Sequence, residues 1–481
     1  MSKKKISRRE SIKMISACSA SGMAISPFLL NQQSQAAPKQ KRYLFVFAAV
    51  GGASIIDSFY AQTSGPNAFT ADQLASRADT PFKAVKPMTN SIQGAIPLGN
   101  GYSQETFLSK YYKEMAIMTN EVSSVNHLIA AKRAVSGDNV NGGRTITEAV
   151  ATDFGEGFIM PNVAMTGSGY ARRGDDHAVA DIARPQLVSD PLMLAFATHG
   201  FHGTGVPTNS KEMDLARKLR FQLEKISRFG KQFSTTPELK SYIANRERIA
   251  HSLEKGDLVT KLMLLDSNGA NLGNYNMKSS PDLANLVAQF PDLATDPIES
   301  QTAMAFLLAK NGVSNALTIA PGVAPLIEAQ GTPNAPIGFD WSHVDHRGGQ
   351  NAMWSYSLKA MDSLITMLKK TDVDGDPSKG KMWDHSLIYV ATEFGRDRVS
   401  GGGSGHHLNN GTLLISPLIN GNKIYGGIDA ATGLTYGFDP KTGEPGQNLR
   451  MKEKHIYSAV AHALGLDFPG RIDMPSMVKK A

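Results

Sequence analysis

Apolar residues along the chain fall into two patterns, short unbroken runs and longer stretches in which they recur every three or four positions. The first pattern predicts buried strands and the second amphipathic helices. Tyr43-Leu44-Phe45-Val46-Phe47-Ala48-Ala49-Val50 is an unbroken run that passes straight into Gly51-Gly52. A buried parallel strand whose C-terminal end opens into a loop reads this way, and such ends are where α/β proteins place their chemistry. Further strands are expected at 115–119, 159–165, 316–319, 387–392 and 412–418. Asn209-Ser210-Lys211-Glu212 has the form of a capping box and predicts a helix to about residue 229, with another at 238 to about 265. A third helix is expected at 350–370, where Met353, Tyr356, Leu358, Met361, Leu364, Ile365 and Leu368 form one stripe. Strands alternating with helices predict an α/β domain over about 40–475, built on a doubly wound, mostly parallel sheet with a helical insertion at about 209–297.

Composition narrows the class. Of 481 residues, 41% are hydrophobic and 19% charged, which excludes a disordered or fibrous chain. One cysteine excludes an intrachain disulfide framework and a thiolate-rich metal centre. The net charge of +7 raises the question of nucleic-acid binding, and its position answers it. Lys3, Lys4, Lys5, Arg8, Arg9 and Lys13 against Glu10 place +5 in the first 36 residues, leaving 44 basic against 42 acidic residues and no case for a nucleic-acid partner.

That basic start carries its own signal. Ser7-Arg8-Arg9-Glu10-Ser11-Ile12-Lys13 resembles a twin-arginine export signal, with Ser11 and Ile12 where the signal prefers Phe and Leu. Residues 14–30 are weakly apolar, and Ser34-Gln35-Ala36 sets small residues at signal-peptidase spacing. The expectation is a signal peptide over 1–36, cleavage after Ala36, the twin-arginine translocase as a transient partner and a periplasmic or secreted product. Ser16, Ser19, Ser21 and Pro27 make the segment too polar for a membrane span, and no other stretch of 18 apolar residues exists. Cys18 follows Ile15-Ser16-Ala17, but so close to Arg9 that almost no hydrophobic segment precedes it, which argues against lipidation.

Three constellations carry candidate chemistry. The first is Gly51-Gly52-Ala53-Ser54-Ile55-Ile56-Asp57, where Asp57 is either a metal ligand or a helix cap. The second, Phe339-Asp340-Trp341-Ser342-His343-Val344-Asp345-His346, concentrates the carboxylates and imidazoles that divalent ions take without thiolate. The third is Thr392-Glu393-Phe394-Gly395-Arg396 at a strand end, followed by a glycine-rich loop to His406-His407, which combines an acid, an oxyanion-binding arginine and a histidine pair. Asp372-Val373-Asp374-Gly375-Asp376 begins like a calcium loop, but Pro377 takes the glycine position and Trp383 the bidentate-acid position, so it reads as a solvated turn. The cluster Arg172-Arg173-Gly174-Asp175-Asp176-His177 reads as a surface loop.

At these residues the chain resembles the exported proteins grouped as domain of unknown function 1501, related to the alkaline phosphatase and sulfatase superfamily. Gly51-Gly52-Ala53-Ser54 with Asp57 and Phe59 is similar to that family's Gly-Gly-Pro-Ser-x-x-Asp-x-Phe opening, and Thr392-Glu393-Phe394-Gly395-Arg396 is similar to its most specific motif. Residues 304–340 and 455–467 resemble further family segments. The resemblance implies an alkaline-phosphatase-like fold and metal-dependent hydrolysis of phosphate or sulfate esters, with Asp57, Asp340, His343, Glu393 and His407 as ligands of a zinc, calcium, magnesium or manganese ion. Arg396 would offset developing charge, and Ser123 or Ser124 would be the attacking hydroxyl. Phe394 stands where the phosphatases have a ligand histidine, His406 replaces the family's usual Asp, and Asn126-His127 replaces its Ser-His. These departures leave room for the alternative, a non-catalytic protein that keeps the fold and binds a cell-surface component instead of a small ester.

Overall fold

A computed structural model of the chain describes residues 40–87, 101–199 except 167, 210–237, 239, 240, 243, and 258–479 except 268, 269, 276, 321–337 and 400. The expected export signal, the cap at Asn209 and most of the expected helix at 238–265 lie outside the described residues. From Arg42 onward the chain forms one compact α/β unit. Its centre is an eight-stranded sheet of β1 (Tyr43–Ala49), β2 (Met115–Glu121), β3 (Asn162–Ala164), β4 (Gln186–Leu187), β5 (Ala316–Ile319), β6 (Ser386–Thr392), β7 (Asn409–Ile415) and β8 (Lys423–Tyr425). Across the sheet the order is β8-β2-β7-β6-β1-β5-β3-β4. β1 lies parallel between β5 and β6, whereas β7 is antiparallel to both β2 and β6. The sheet is therefore mixed, with β7 alone opposing the shared direction.

Both faces are covered, which explains the unbroken apolar run of β1. Tyr43, Phe45 and Phe47 enter one core layer with residues of helices Pro297–Lys310 and His346–Lys370. Leu44, Val46 and Ala48 enter the other with residues of α1 (His127–Ser136), α2 (Ile146–Phe154) and the C-terminal helix Glu453–Leu464. A strand buried on both sides admits no polar alternation. Leu262, Met263, Leu286 and Phe290, from the second half of the expected helical insertion, also belong to the first layer.

Differences from the expected elements have local causes. The strand expected at 412–418 runs 409–415, because Pro417 has no N–H to continue a ladder. Its polar start, Asn409 to Gly411, joins the sheet by pairing with Glu121 to Thr119. The helix expected from residue 350 begins at His346, where the Asp345 side chain caps it by accepting the Gly348 N–H at 3.1 Å. The helix opening the insertion spans Ser210–Ile226, and Ser227 then caps a separate short helix, Arg228–Phe233.

Candidate metal centre

Adjacent parallel strands end at the same level, so the loop after β1 lies against the residues after β6. There the Gly51 N–H donates to the Glu393 carboxylate. Gly51 has φ +92°, and a Cβ on it would lie 2.2 Å from the Asp340 nitrogen, so the turn Gly338–His343 packs directly on glycine backbone. His127 enters from the start of α1, where Asn126 caps the helix. The remaining wall is a two-stranded ribbon in which Arg396 pairs with His406 and Gly395 with His407.

His127, Asp340 and His406 each offer a ligand atom, and the three atoms lie within 4.8 Å of one another. His127 Nε2 is 3.8 Å from Asp340 Oδ2, and His406 Nε2 is 3.7 Å from Asp340 Oδ1. The remaining atoms of these side chains are engaged. His127 Nδ1 is 3.1 Å from Glu393 Oε1, and His406 Nδ1 is 3.1 Å from the Val125 carbonyl. A ring nitrogen facing a carbonyl carries the hydrogen in the neutral ring, so His406 directs its Nε2 lone pair into the cluster. Asp340 Oδ1 accepts from Arg396 Nη2 at 2.6 Å. Beneath the histidines the buried Phe394 ring stacks on His406, centroids 4.0 Å apart.

Electrostatics divide the two imidazoles. The hydrogen bond to Glu393 raises the His127 pKa above the ordinary histidine value, against the effect of burial and with help from the Glu393 and Asp340 charges. Burial lowers that of His406, reinforced by Arg396, His127 and His343, which favours the neutral ring that binds metals. Burial also pulls down the Arg396 pKa, opposed by its bond to Asp340.

The expected site residues are distributed as follows. Asp340 is in the cluster. His343 borders it, with Nε2 2.9 Å from His406 Nε2 and 3.4 Å from Asp340 Oδ1. Glu393 sits behind His127 as its anchor. Asp57 is buried elsewhere, 2.9 Å from His346 Nε2 and accepting from Ser54 Oγ, while His346 Nδ1 meets Ser404 Oγ at 2.8 Å. Those partners hold the Asp57 carboxyl below its usual range although burial, the largest influence, pushes it upward. His407 turns away, with Nδ1 accepting from the Asn409 N–H at 3.1 Å beside a separate cavity of about 150 Å3. Ser123 Oγ is bonded to Glu453 and Arg133, and Ser124 Oγ accepts from the Asn126 N–H. The Arg396 guanidinium is fully buried and bonded to the carbonyls of Gly51 and Ser404 as well as to Asp340.

Two members of the cluster, His127 and His406, were not among the expected ligands. For His406 the sequence offers only the His406-His407 pair, and the ribbon pairing decides which of the two enters the cluster. Successive side chains point to opposite faces, and directly paired residues share one, so the histidine paired with Arg396 is the one that shares its face. For His127 the sequence offers only a histidine just after an Asn suited to capping, and its nearness to Asp340 and Glu393 is a tertiary fact.

The chain matches no protein-family model and no curated protein at a significant level.

Proposed function

We propose that this is an exported metal-dependent hydrolase of phosphate or sulfate esters, a member of the domain of unknown function 1501 group with an alkaline-phosphatase-like fold. The observation that carries the reading is the convergence of His127, Asp340 and His406 at the C-terminal ends of parallel strands. Two imidazoles and a carboxylate suit zinc, with manganese next, better than calcium or magnesium, which favour all-oxygen shells. Bound there, such an ion supplies Lewis-acid polarisation of an ester oxygen. The protein's own part is orientation. Glu393 fixes the His127 ring, the Val125 carbonyl fixes His406, and Arg396 leaves Asp340 Oδ2 directed at the cluster.

Export by the twin-arginine route, with cleavage near Ala36 and a periplasmic or secreted destination, belongs to the same proposal. One observation favours a non-catalytic second reading: the hydroxyls of Ser123 and Ser124 are already engaged. A binding protein would hold the ion without turning over esters.

The test is elemental analysis of protein purified without chelator, followed by a panel of phosphate and sulfate esters. We expect one equivalent of zinc or manganese, lost in His406→Ala and retained in His407→Ala. Absence of stoichiometric metal, or equal retention in both variants, refutes the metal centre. Metal without any ester turnover selects the binding protein.

A further inference from the structure

The helix Ser210–Ile226, which opens the insertion, turns an apolar stripe to solvent. Leu215, Leu219, Leu223 and Ile226 follow one another at helical spacing, which places them on one face, and they are 50–64% exposed. The opposite face is the one turned to the protein, where Phe221 and Glu224 line a cleft of about 590 Å3 with Asp181 and Leu239. Single exposed leucines are ordinary, but four in register along one helix form a continuous patch of the kind that marks an interaction surface.

Charge identifies what that surface meets. Residues 210–233 hold seven basic residues against three acidic, a net +4, whereas the whole chain after residue 36 carries a net +2. The 3.6-residue period sets Lys218 on one flank of the stripe and Arg220 on the other. Both are exposed, and neither makes an ion pair among the described residues. Past the helix end, Arg228 and Lys231 stand beside Phe229, itself 62% exposed. A helix with a leucine stripe, low overall hydrophobicity and cationic flanks is suited to lie in the plane of a bilayer surface, its stripe in the acyl boundary and its Lys and Arg stems reaching anionic headgroups. A second copy docked through the same face would set these cationic flanks against each other, which favours the lipid as occupant.

We propose that the helix Ser210–Ile226 seats the protein on an anionic lipid surface, lying in its plane with Leu215, Leu219, Leu223 and Ile226 inserted among the headgroups and upper acyl chains. This role is independent of the chemistry at the metal centre. Burying the exposed half of one leucine is worth about fivefold in affinity, and one Lys or Arg near an anionic surface about as much.

The experiment places a reporter on the stripe of the full-length chain, Leu223→Trp, and measures its quenching by vesicles of phosphatidylglycerol or phosphatidylcholine with brominated acyl chains. The native Trp341, Trp354 and Trp383 are buried and should not be quenched, nor should Leu434→Trp, at an exposed leucine outside this helix. Leu223→Trp is expected to be quenched, with an apparent affinity at least about tenfold higher for phosphatidylglycerol. Adding Lys218→Gln with Arg220→Gln should erase most of that preference, and adding Leu215→Gln with Leu219→Gln should weaken binding at least about tenfold. Glutamine is about as good a helix former as the residues it replaces, so both variants should keep the parent urea midpoint. No quenching of Leu223→Trp, equal affinity for the two lipids, or binding untouched by the glutamine pairs overturns the inference. A dimer in light scattering that the Leu215 and Leu219 substitutions dissolve, with no quenching, also overturns it and assigns the stripe to a second copy.

Discussion

Arg396 offers the sharpest test of how the centre is built, because a buried clamp and a substrate-binding arginine respond differently to the same substitution. Its side chain is fully buried, with one nitrogen on Asp340 Oδ1 at 2.6 Å and on the Gly51 carbonyl, and another near the Ser404 carbonyl and His343. Arg396→Met leaves these acceptors without a donor. Each buried acceptor so orphaned is worth about 1–3 kcal/mol, less for the partly exposed Asp340, and removing one partner of a buried pair typically destabilises by about 3–5 kcal/mol. We therefore expect a loss of about 3–5 kcal/mol, read as a lowered urea midpoint at unchanged slope. Arg396→Lys keeps a charge for Asp340 but lacks the planar fork that spans both carbonyls, and should recover about half. A midpoint within about 0.5 kcal/mol of wild type for Arg396→Met refutes the clamp. Wild-type stability of the Lys variant with ester turnover lost would show instead that Arg396 acts on substrate.

Two further predictions concern the scaffold. Asp296 caps the helix Pro297–Lys310 from a buried position, and burial, with the Glu299 charge, raises its carboxyl to about 6 despite the N–H donors of Ile298 and Glu299. A raised carboxyl favours folding below the ordinary value near 4 and loses that contribution as pH climbs through about 6, so Asp296→Asn, which keeps the capping oxygen, should stabilise the protein at pH 7–8 by up to about 3 kcal/mol and flatten its stability profile between pH 4 and 6; a profile as steep as wild type in this variant contradicts the assignment. Glu148 is completely buried and accepts from Arg184 at 2.8 Å and from the N–H groups of Thr145 and Gly174, so Glu148→Ala should destabilise by about 3–5 kcal/mol in chemical denaturation, with a loss under 1 kcal/mol counting against it.

The parts of the fold legible in the sequence were those governed by local pattern. β5 falls where its apolar run predicts, and β1 and β6 fall within a residue of their runs, since strands buried on both faces leave little choice of register. Boundaries set by partners were not legible. Asn409-Asn410-Gly411 looks like loop until β2 is placed beside it, and Gly348-Gly349 looks like loop until the Ser342 backbone is seen 3.0 Å from where a Cβ on Gly349 would stand. The site divides in the same way. Residues at strand ends were recognisable as chemistry-bearing, but which atoms converge depends on α1 and on a two-residue ribbon that no periodicity announces. The cluster Arg172 to His177, read as surface loop, is tied down by Arg144–Asp176 at 2.5 Å and Lys132–Asp175 at 2.6 Å, pairings made across sequence distance.

Phe394 and His406 have a physical relation that is visible only once the ribbon is in place. The Phe394 side chain is an aromatic hydrocarbon ring, which offers no lone pair for a metal. The His406 imidazole stacks on that ring, with centroids 4.0 Å apart and planes inclined by 25°. The imidazole thus comes from the ribbon, and the phenyl ring of the residue just before the ribbon is the platform that sets its plane. The two positions are coupled through that stack. Phe394→Ala supplies and removes no ligand atom, but it takes away that platform and leaves the Val125 carbonyl as the remaining restraint on the ring, so bound zinc should fall below one equivalent in elemental analysis, and full retention would count against the coupling.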